Sequence, residues 1–271
     1  MSTIEKHYVS TSAGQIHLRR INAGSRDALP LVCLHPAPYS SLYFTTVMPL
    51  LGRDVIAPDY PGYGGSSRLP EAPSIGDYAS VMLECIDALE LDGKVDLFGF
   101  HSGCLVAAEM SIEAPDRFHR IALCDIPFFD ADMQADLIGK LAHQIDLSTE
   151  LDCLERSWDL GVRRRADVMG LNRAFDLYVE QLRSVPNDHE AFVAAFSYDC
   201  ETRFRMIDRP VTVIATGATL RDATLKAQEA IPGSKLIDAE GVTMPVFERA
   251  TERMAEAIID ALDDDSTPET T

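Results

Sequence analysis

Short apolar runs rich in β-branched residues alternate with longer amphipathic segments along most of the chain. This alternation is typical of a parallel sheet with helices on both faces, because each strand is then followed by a helix. Apolar positions that recur every three or four residues predict helices over residues 78–90, 103–114 and 246–262. The sequence therefore predicts an α/β fold with a mostly parallel, doubly wound sheet. The predicted strands are Gln15–Ile21, Leu31–His35, Asp54–Pro58, Val95–Phe100, Arg120–Ile126, Pro210–Thr216 and Lys235–Asp238.

The segment 127–209 interrupts this alternation, because it has helical periodicity and charge but no strand-like run. An insertion after the strand that ends near Ile126 would lie over the carboxyl edge of the sheet, where open α/β sheets bind ligands. We therefore predict a core of residues 1–126 and 210–262 and a helical cap or lid of residues 127–209. An ordinary extra helical layer is the alternative. Residues 263–271 are polar and acidic, which predicts a disordered tail.

The chain is strongly acidic, since 24 Lys and Arg residues oppose 43 Asp and Glu residues and give a formal net charge of −19. Without a basic run to invert the field locally, this charge disfavours binding to nucleic acid or to a membrane surface. No apolar stretch approaches the ~18 residues that span a bilayer, and no apolar leader segment begins the chain. We expect a cytoplasmic protein that binds a small-molecule substrate or ligand, and the sequence leaves a homodimer open.

Three short motifs follow three successive predicted strands. His35–Pro38 follows the second strand, Asp59–Ser66 the third, and Gly99–Gly103 the fourth, where a helix begins. Their order and spacing, together with the helical insertion, resemble the α/β-hydrolase superfamily over about residues 8–262. The resemblance implies the fold of that superfamily, including a strained strand-to-helix turn, the nucleophile elbow, that lifts one side chain above the sheet.

The elbow requires small residues two positions before and two positions after its apex. With His101 at the apex, these residues are Gly99 and Gly103. With Ser102 at the apex, a phenylalanine and a cysteine would occupy these positions and collide with the neighbouring strand or helix. We therefore predict that His101 is the apex residue, where the superfamily has a Ser, Cys or Asp nucleophile.

Two further positions depart from the superfamily pattern. Its catalytic histidine follows the last strand, where this chain has Val242, and no histidine lies beyond residue 189. Its catalytic acid would fall at Leu220, and Asp222 lies two residues late. In the usual triad the imidazole accepts the nucleophile's proton and the carboxylate fixes its tautomer. This chain cannot assemble that triad in its usual places.

Polar groups remain at the carboxyl edge of the predicted sheet. The strand order that the resemblance implies would bring His35, His101 and Asp125 to one side of the crevice. We predict that His101 is a general acid/base and that Asp125 accepts one of its ring N–H groups. The backbone amides of Ala37 and Ser102 lie where the superfamily has its oxyanion-hole donors, and its equivalent of His35 braces that loop. The alternatives are that His101 has lost its reactive function and that Asp125 only caps a turn.

These residues predict a cofactor-independent hydrolase or lyase that acts on a small, carbonyl-bearing, mainly apolar molecule. No histidine or cysteine spacing indicates a metal site. One alternative is a catalytically inactive pseudo-hydrolase that serves as a small-molecule sensor or protein-interaction module, and another is a serine hydrolase that uses Ser102. The arginine run at residues 163–165 indicates a solvated helix face or, alternatively, a carboxylate or phosphate site.

Overall fold

The computed structural model describes residues 3–24, 28–91, 93–141 and 145–263. Within these residues the strands are β1 (Glu5–Thr11), β2 (Gly14–Ile21), β3 (Leu31–Leu34), β4 (Val55–Pro58), β5 (Val95–Phe100), β6 (Phe118–Cys124), β7 (Val211–Thr216) and β8 (Lys235–Ala239). They form one sheet in the order β1-β2-β4-β3-β5-β6-β7-β8. Strand β2 is antiparallel to its neighbours β1 and β4, and all other neighbouring strands are parallel.

From β4 onward, at least one α-helix lies between successive strands, and two more follow β8. The α-helices are α1 (Ile75–Ala88), α2 (Ser102–Glu113), α3 (Ala131–Leu141), α4 (Glu155–Trp158), α5 (Ala166–Met169), α6 (Leu171–Leu182), α7 (Glu190–Phe196), α8 (Cys200–Phe204), α9 (Arg221–Ala230), α10 (Val246–Arg249) and α11 (Thr251–Asp263). Short 3-10 helices lie at Ser41–Phe44, Met48–Leu50, Pro115–Arg117 and Leu151–Leu154, and a π-helical turn lies at Asp159–Arg163. None of the described helices combines the length and the apolar character that crossing a membrane requires.

Successive side chains of the central strands pack on opposite faces of the sheet. In β3, Val32 and Leu34 belong to the apolar cluster that contains residues of α1 and α2, whereas Leu31 and Cys33 belong to the cluster that contains residues of α11. Every residue of β3, β4, β5 and β7 is buried, which explains why these strands are continuous apolar runs in the sequence. The predicted α/β fold with a doubly wound, mostly parallel sheet is confirmed.

The structure differs from the predicted elements by more than one residue in four places. Helix α1 begins three residues before and ends two residues before the predicted range 78–90. Strand β1 was not predicted, because its residues are mostly exposed and Tyr8, its aromatic residue, is 56% exposed. Strand β6 begins and ends two residues before the predicted Arg120–Ile126. The helix predicted over residues 246–262 is divided into α10 and α11, because Ala250 adopts φ of −143° and ψ of 47°, outside the helical region.

The described residues between β6 and β7 form helices α3 to α8 and contain no strand. This agrees with the helical content predicted for residues 127–209, while the movement of this segment as a lid remains a prediction. Helix α11 extends to Asp263, the first residue of the predicted tail. The rest of that tail, residues 264–271, lies outside the described residues.

Candidate active site

His101 occupies the turn between β5 and α2. Its backbone has φ of 51° and ψ of −123°, a conformation that costs a residue other than glycine on the order of 1–3 kcal/mol. Two glycines make the tight turn sterically possible. A Cβ atom on Gly103 would lie 2.1 Å from the carbonyl oxygen of Leu34, and one on Gly99 would lie 2.7 Å from Cα of Cys104. The structure therefore places His101 at the apex, where the glycine spacing predicted it.

The His101 imidazole is half-buried and faces a cavity. Its Nε2 atom is buried and has no hydrogen-bond partner among the described residues. Burial, together with the positive charge of Arg165, lowers the pKa of His101 from 6.5 to about 4. The ring is therefore neutral at pH 7, and one of its nitrogens is free of a proton.

Asp125 follows β6, the strand that neighbours β5, as the predicted strand order required. Its carboxylate is fully buried and accepts hydrogen bonds from the backbone N–H of Thr216 at 3.1 Å and from Oγ1 of Thr216 at 2.7 Å. Burial raises the pKa of Asp125, and the two Thr216 donors oppose that rise. Both oxygens accept from Thr216 at the end of β7, and no hydrogen bond joins the His101 and Asp125 side chains among the described residues, so the predicted pair is wrong. Asp125 joins the ends of β6 and β7 instead.

Ser102 is the first residue of α2, and its Oγ accepts a hydrogen bond from the backbone N–H of Ala37 at 2.8 Å. Of the two predicted oxyanion donors, only the Ser102 amide is therefore available, because the Ala37 amide already donates to Ser102 Oγ. The Ser102 amide lies in the first turn of α2, where N–H groups have no partner within the helix. No imidazole or carboxylate in the described part of the chain hydrogen-bonds to the Ser102 hydroxyl, so nothing there assists its ionisation as a nucleophile.

His35 is fully buried and is not among the residues that line the cavity. Its Nε2 accepts a hydrogen bond from the backbone N–H of Tyr60 at 3.0 Å, and its Nδ1 lies 3.1 Å from the carbonyl oxygen of Pro36. These contacts place the proton on Nδ1, and burial lowers the pKa of the ring to about 4. The predicted position of His35 in the crevice is corrected: the ring connects the turn after β3 to the turn after β4.

The two remaining triad positions carry no acid or base. Val242 is 6% exposed and belongs to the apolar cluster that includes α11. Its carbonyl oxygen accepts a hydrogen bond from the backbone N–H of Gly217 at 2.7 Å. Leu220 precedes α9, and Asp222 is exposed in the first turn of that helix. The loops after β7 and β8 thus pack against each other without supplying a catalytic side chain.

A cavity of about 560 Å³ borders His101. The turn after β3 contributes Pro36–Tyr39, the loop before α10 contributes Met244, and the segment between β6 and β7 contributes Arg165 and Asp188. A volume of this order suits a small organic molecule. The elbow residue therefore faces a space that a substrate could occupy.

The arginine run is divided between the surface and the cavity. Arg163 and Arg164 are exposed, and both form ion pairs with Asp159, as a solvated helix face predicts. Arg165 is half-buried, donates a hydrogen bond to the Tyr39 hydroxyl and lies 5.4 Å from the centre of the Tyr39 ring. It forms no ion pair with any described residue. The sequence singled out the run but could not tell which of its members turns inward.

Asp188 is a cavity residue that the sequence analysis missed, because a lone carboxylate in a polar stretch has no distinguishing pattern. Its side chain is almost fully buried, and its Oδ1 atom has no hydrogen-bond partner in the described structure. Burial raises the pKa of this carboxyl group above its usual value. The cavity therefore contains a neutral imidazole and a carboxyl group whose pKa values are shifted in opposite directions.

The described residues contain no cluster of three His, Cys, Asp or Glu side chains that could hold a metal ion. All six cysteines are free thiols, and five of them are buried. Burial raises the pKa of the Cys33 and Cys85 thiols, so these thiols stay protonated at neutral pH.

Comparison with known proteins identifies the family of the chain. The profile described as the alpha/beta hydrolase family matches residues 31–257, which is most of the chain. The chain belongs to the alpha/beta hydrolase family.

Two curated relatives match part of the chain. A haloalkane dehalogenase of Psychrobacter cryohalolentis is 31% identical over 129 residues, which cover 44% of this chain and 41% of the relative. An (E)-2-((N-methylformamido)methylene)succinate hydrolase of Acinetobacter baylyi is 36% identical over 69 residues, which cover 26% of each protein. The chain thus spans less than half the length of these two relatives. The crystal structure of a hydrolase from Pseudomonas aeruginosa has the same fold, with a TM-score of 0.77 and 17% sequence identity. The superposition covers 95% of this chain and 98% of the hydrolase chain.

Proposed function

We propose that the protein is a cofactor-independent enzyme of the hydrolase or lyase type, that its substrate is a small carbonyl compound, and that His101 is the group that accepts and returns a proton. One observation carries the proposal: a neutral imidazole with an unpaired Nε2 stands at the elbow apex and borders the cavity. The strained backbone of His101 supports a functional role, because strain of this kind clusters at active sites.

In the hydrolytic form of the reaction, His101 accepts a proton from a water molecule while the water oxygen forms a bond to the carbonyl carbon. The imidazolium then returns the proton to the leaving group as the bond to that group breaks. Because the pKa of His101 is about 4, the first transfer is the costly one and the return is favourable. The developing oxyanion accepts a hydrogen bond from the Ser102 amide, and the N-terminal end of α2 favours its negative charge. In a lyase reaction the same nitrogen accepts a proton from a carbon atom next to the carbonyl group. The electron pair of the broken C–H bond forms a carbon–carbon double bond as the leaving group departs, and the imidazolium returns the proton to that group.

The two curated relatives support an enzyme of this general type, since one is a dehalogenase and the other hydrolyses a formamido derivative of succinate. The lining of the cavity includes charged side chains, Arg165 and Asp188, besides apolar groups such as Met244. A substrate with both a polar and an apolar end suits this lining better than the mainly apolar molecule that the sequence suggested.

A second candidate is a pseudo-hydrolase that binds a small molecule without converting it. The contact between the Ala37 amide and Ser102 Oγ favours it, because a filled oxyanion position weakens transition-state stabilisation. A serine hydrolase that uses Ser102 lacks this kind of support, since its hydroxyl has no base among the described residues.

Turnover of a panel of small esters, lactones and amides at pH 7 tests the proposal, with the wild type, His101→Gln and Ser102→Ala assayed side by side. We expect the wild type to release product, His101→Gln to lose at least about 100-fold, as for a general base, and Ser102→Ala to retain most of the activity. A thermal-shift screen of the same compounds is run in parallel. Ligands that stabilise the wild type without any turnover would favour the pseudo-hydrolase instead.

A further inference from the structure

We infer that Arg165 binds a carboxylate group of the substrate, so that the cavity takes small carbonyl compounds that also carry a carboxylate. The inference deepens the proposed function and rests on it for one point only, that the cavity is the substrate site.

The guanidinium of Arg165 is held in place but forms no ion pair with a described acid. It lies against the Tyr39 ring at 5.4 Å and donates to the Tyr39 hydroxyl, and these two contacts fix its orientation. A guanidinium has five N–H donors in a planar fork, and one neutral hydroxyl accepts from only part of that fork. The planar fork matches the two oxygens of a carboxylate. Arg165 therefore presents an oriented carboxylate-binding group on the wall of the cavity.

The lack of an acidic partner sets Arg165 apart within an acidic chain. Its sequence neighbours Arg163 and Arg164 share Asp159, and the nearby buried Glu248 pairs with Arg173 at 3.0 Å. Of the acids that line the cavity, Asp188 has its pKa shifted by its own burial and by His189, and Arg165 does not contribute. Arg165 acts electrostatically on His101, and it also opposes the rise that burial gives the pKa of Glu248, without forming an ion pair with that carboxylate. Its positive charge therefore reaches the elbow residue and is not paired at close range with a described acid.

One further cation of the cavity lining, Arg156, favours an anionic ligand, and an acid of the lining opposes it. Arg156 is exposed, lines the same cavity and forms no ion pair with a described residue, whereas Lys140 at the cavity wall pairs with Asp136. Asp146 also lines the cavity. Since the chain has a net charge of −19, an anionic substrate meets an unfavourable overall field and needs a local cationic site of this kind.

Binding of a carboxylate at Arg165 has a consequence for the proton acceptor. The charge of Arg165 helps to keep the pKa of His101 low, and a bound carboxylate would cancel that charge. The pKa of His101 should therefore rise when a carboxylate is bound, which makes the imidazole a better proton acceptor. An otherwise similar neutral compound would lack this effect.

Calorimetric titration with sodium benzoate, sodium succinate and the neutral analogue benzamide tests the inference. The variants are Arg165→Gln and, as the matched control from the same arginine run, Arg164→Gln, and urea unfolding checks that each is folded. We expect the wild type and Arg164→Gln to bind at least one of the two carboxylates, and benzoate at least tenfold more tightly than benzamide. Arg165→Gln should weaken carboxylate binding at least tenfold and leave benzamide unchanged.

Equal carboxylate affinity of Arg165→Gln and the wild type would overturn the inference, as would a wild type that binds neither carboxylate or that binds benzamide as tightly as benzoate. His101→Gln separates this inference from the proposed function. Suppose that the wild type and His101→Gln both bind a carboxylate through Arg165, but that the wild type converts none of the esters, lactones and amides. The carboxylate site is then supported and the proposed enzyme activity is refuted.

Discussion

Replacement of Asp125 should destabilise the fold without changing the proton chemistry of His101. The carboxylate is fully buried and accepts two hydrogen bonds from Thr216. Hydrogen bonds to a charged group contribute roughly 1.5–3 kcal/mol each, and their loss leaves the partner donors unpaired. Asp125→Ala should therefore lower the free energy of unfolding by about 3–5 kcal/mol, with a further cost on the order of 1 kcal/mol because Asp125 has φ of 54° and alanine disfavours that backbone.

Asp125→Asn should be much milder, with a loss of about 1 kcal/mol. Its amide oxygen can still accept from the Thr216 N–H, its Nδ2 can donate to Thr216 Oγ1, and asparagine tolerates the left-handed backbone. Urea unfolding monitored by circular dichroism measures both losses. Asp176→Asn, a change at an exposed position of α6, is the control and should stay within about 0.5 kcal/mol of the wild type.

The role of Asp125 is tested by measuring two quantities in the same variants, the free energy of unfolding and the pKa of His101. If Asp125 serves only the junction of β6 and β7, the Asn variant leaves the pKa of His101 unchanged. A stable Asp125→Asn protein in which the His101 pKa falls clearly would show that the carboxylate does act on the imidazole. An Asp125→Ala protein as stable as the control would refute the hydrogen-bond reasoning.

Further predictions concern the elbow, acid stability and Ser102. Gly103→Ala should lower the free energy of unfolding by about 2 kcal/mol or more, since the added Cβ would lie 2.1 Å from a backbone oxygen of β3; an unchanged urea midpoint would contradict this. Because the pKa of the fully buried His35 is about 4 against 6.5 when free, the unfolded chain binds a proton that the folded chain does not. Stability should therefore fall as the pH is lowered from 6.5 to 4, by up to about 3 kcal/mol from this residue. His35→Gln should make that part of the curve less steep but not flat, because the pKa of His101 is also lowered to about 4. A serine-directed fluorophosphonate should leave Ser102 unlabelled by mass spectrometry, whereas stoichiometric labelling would restore a serine nucleophile.

Most of the fold could be predicted because burial determines the sequence pattern. The central strands are covered on both faces, so they form unbroken apolar runs that stand out from the amphipathic helices. Strand β1 lies at the edge of the sheet, is mostly exposed and has no such pattern. The break between α10 and α11 was invisible because it depends on the backbone angles of Ala250, a residue with a high helix propensity.

The sequence predicted the parts of the site that depend on steric constraints within a few residues. It did not predict the parts in which a side chain contacts a residue that is distant in the sequence. The spacing of Gly99 and Gly103 placed His101 at the apex because a Cβ atom at either position would collide with backbone atoms. Strand order put Asp125 next to the elbow, but Thr216, which lies far away in the sequence, holds its carboxylate. Which arginine of the run enters the cavity depends on the Tyr39 ring, and the sequence does not reveal that contact.

The pKa and the tautomer of His101 test the central claim most directly, because the proposed chemistry needs a neutral imidazole at the elbow. Nuclear magnetic resonance of the ¹⁵N-labelled imidazole rings, with His101→Gln used to assign the signal, measures both without any substrate. The account predicts a neutral ring from pH 5.5 to 8 with a midpoint near 4, and a higher midpoint when benzoate is bound. A midpoint at or above the 6.5 of a free histidine would contradict it, because His101 would then be exposed to water or paired with an acid.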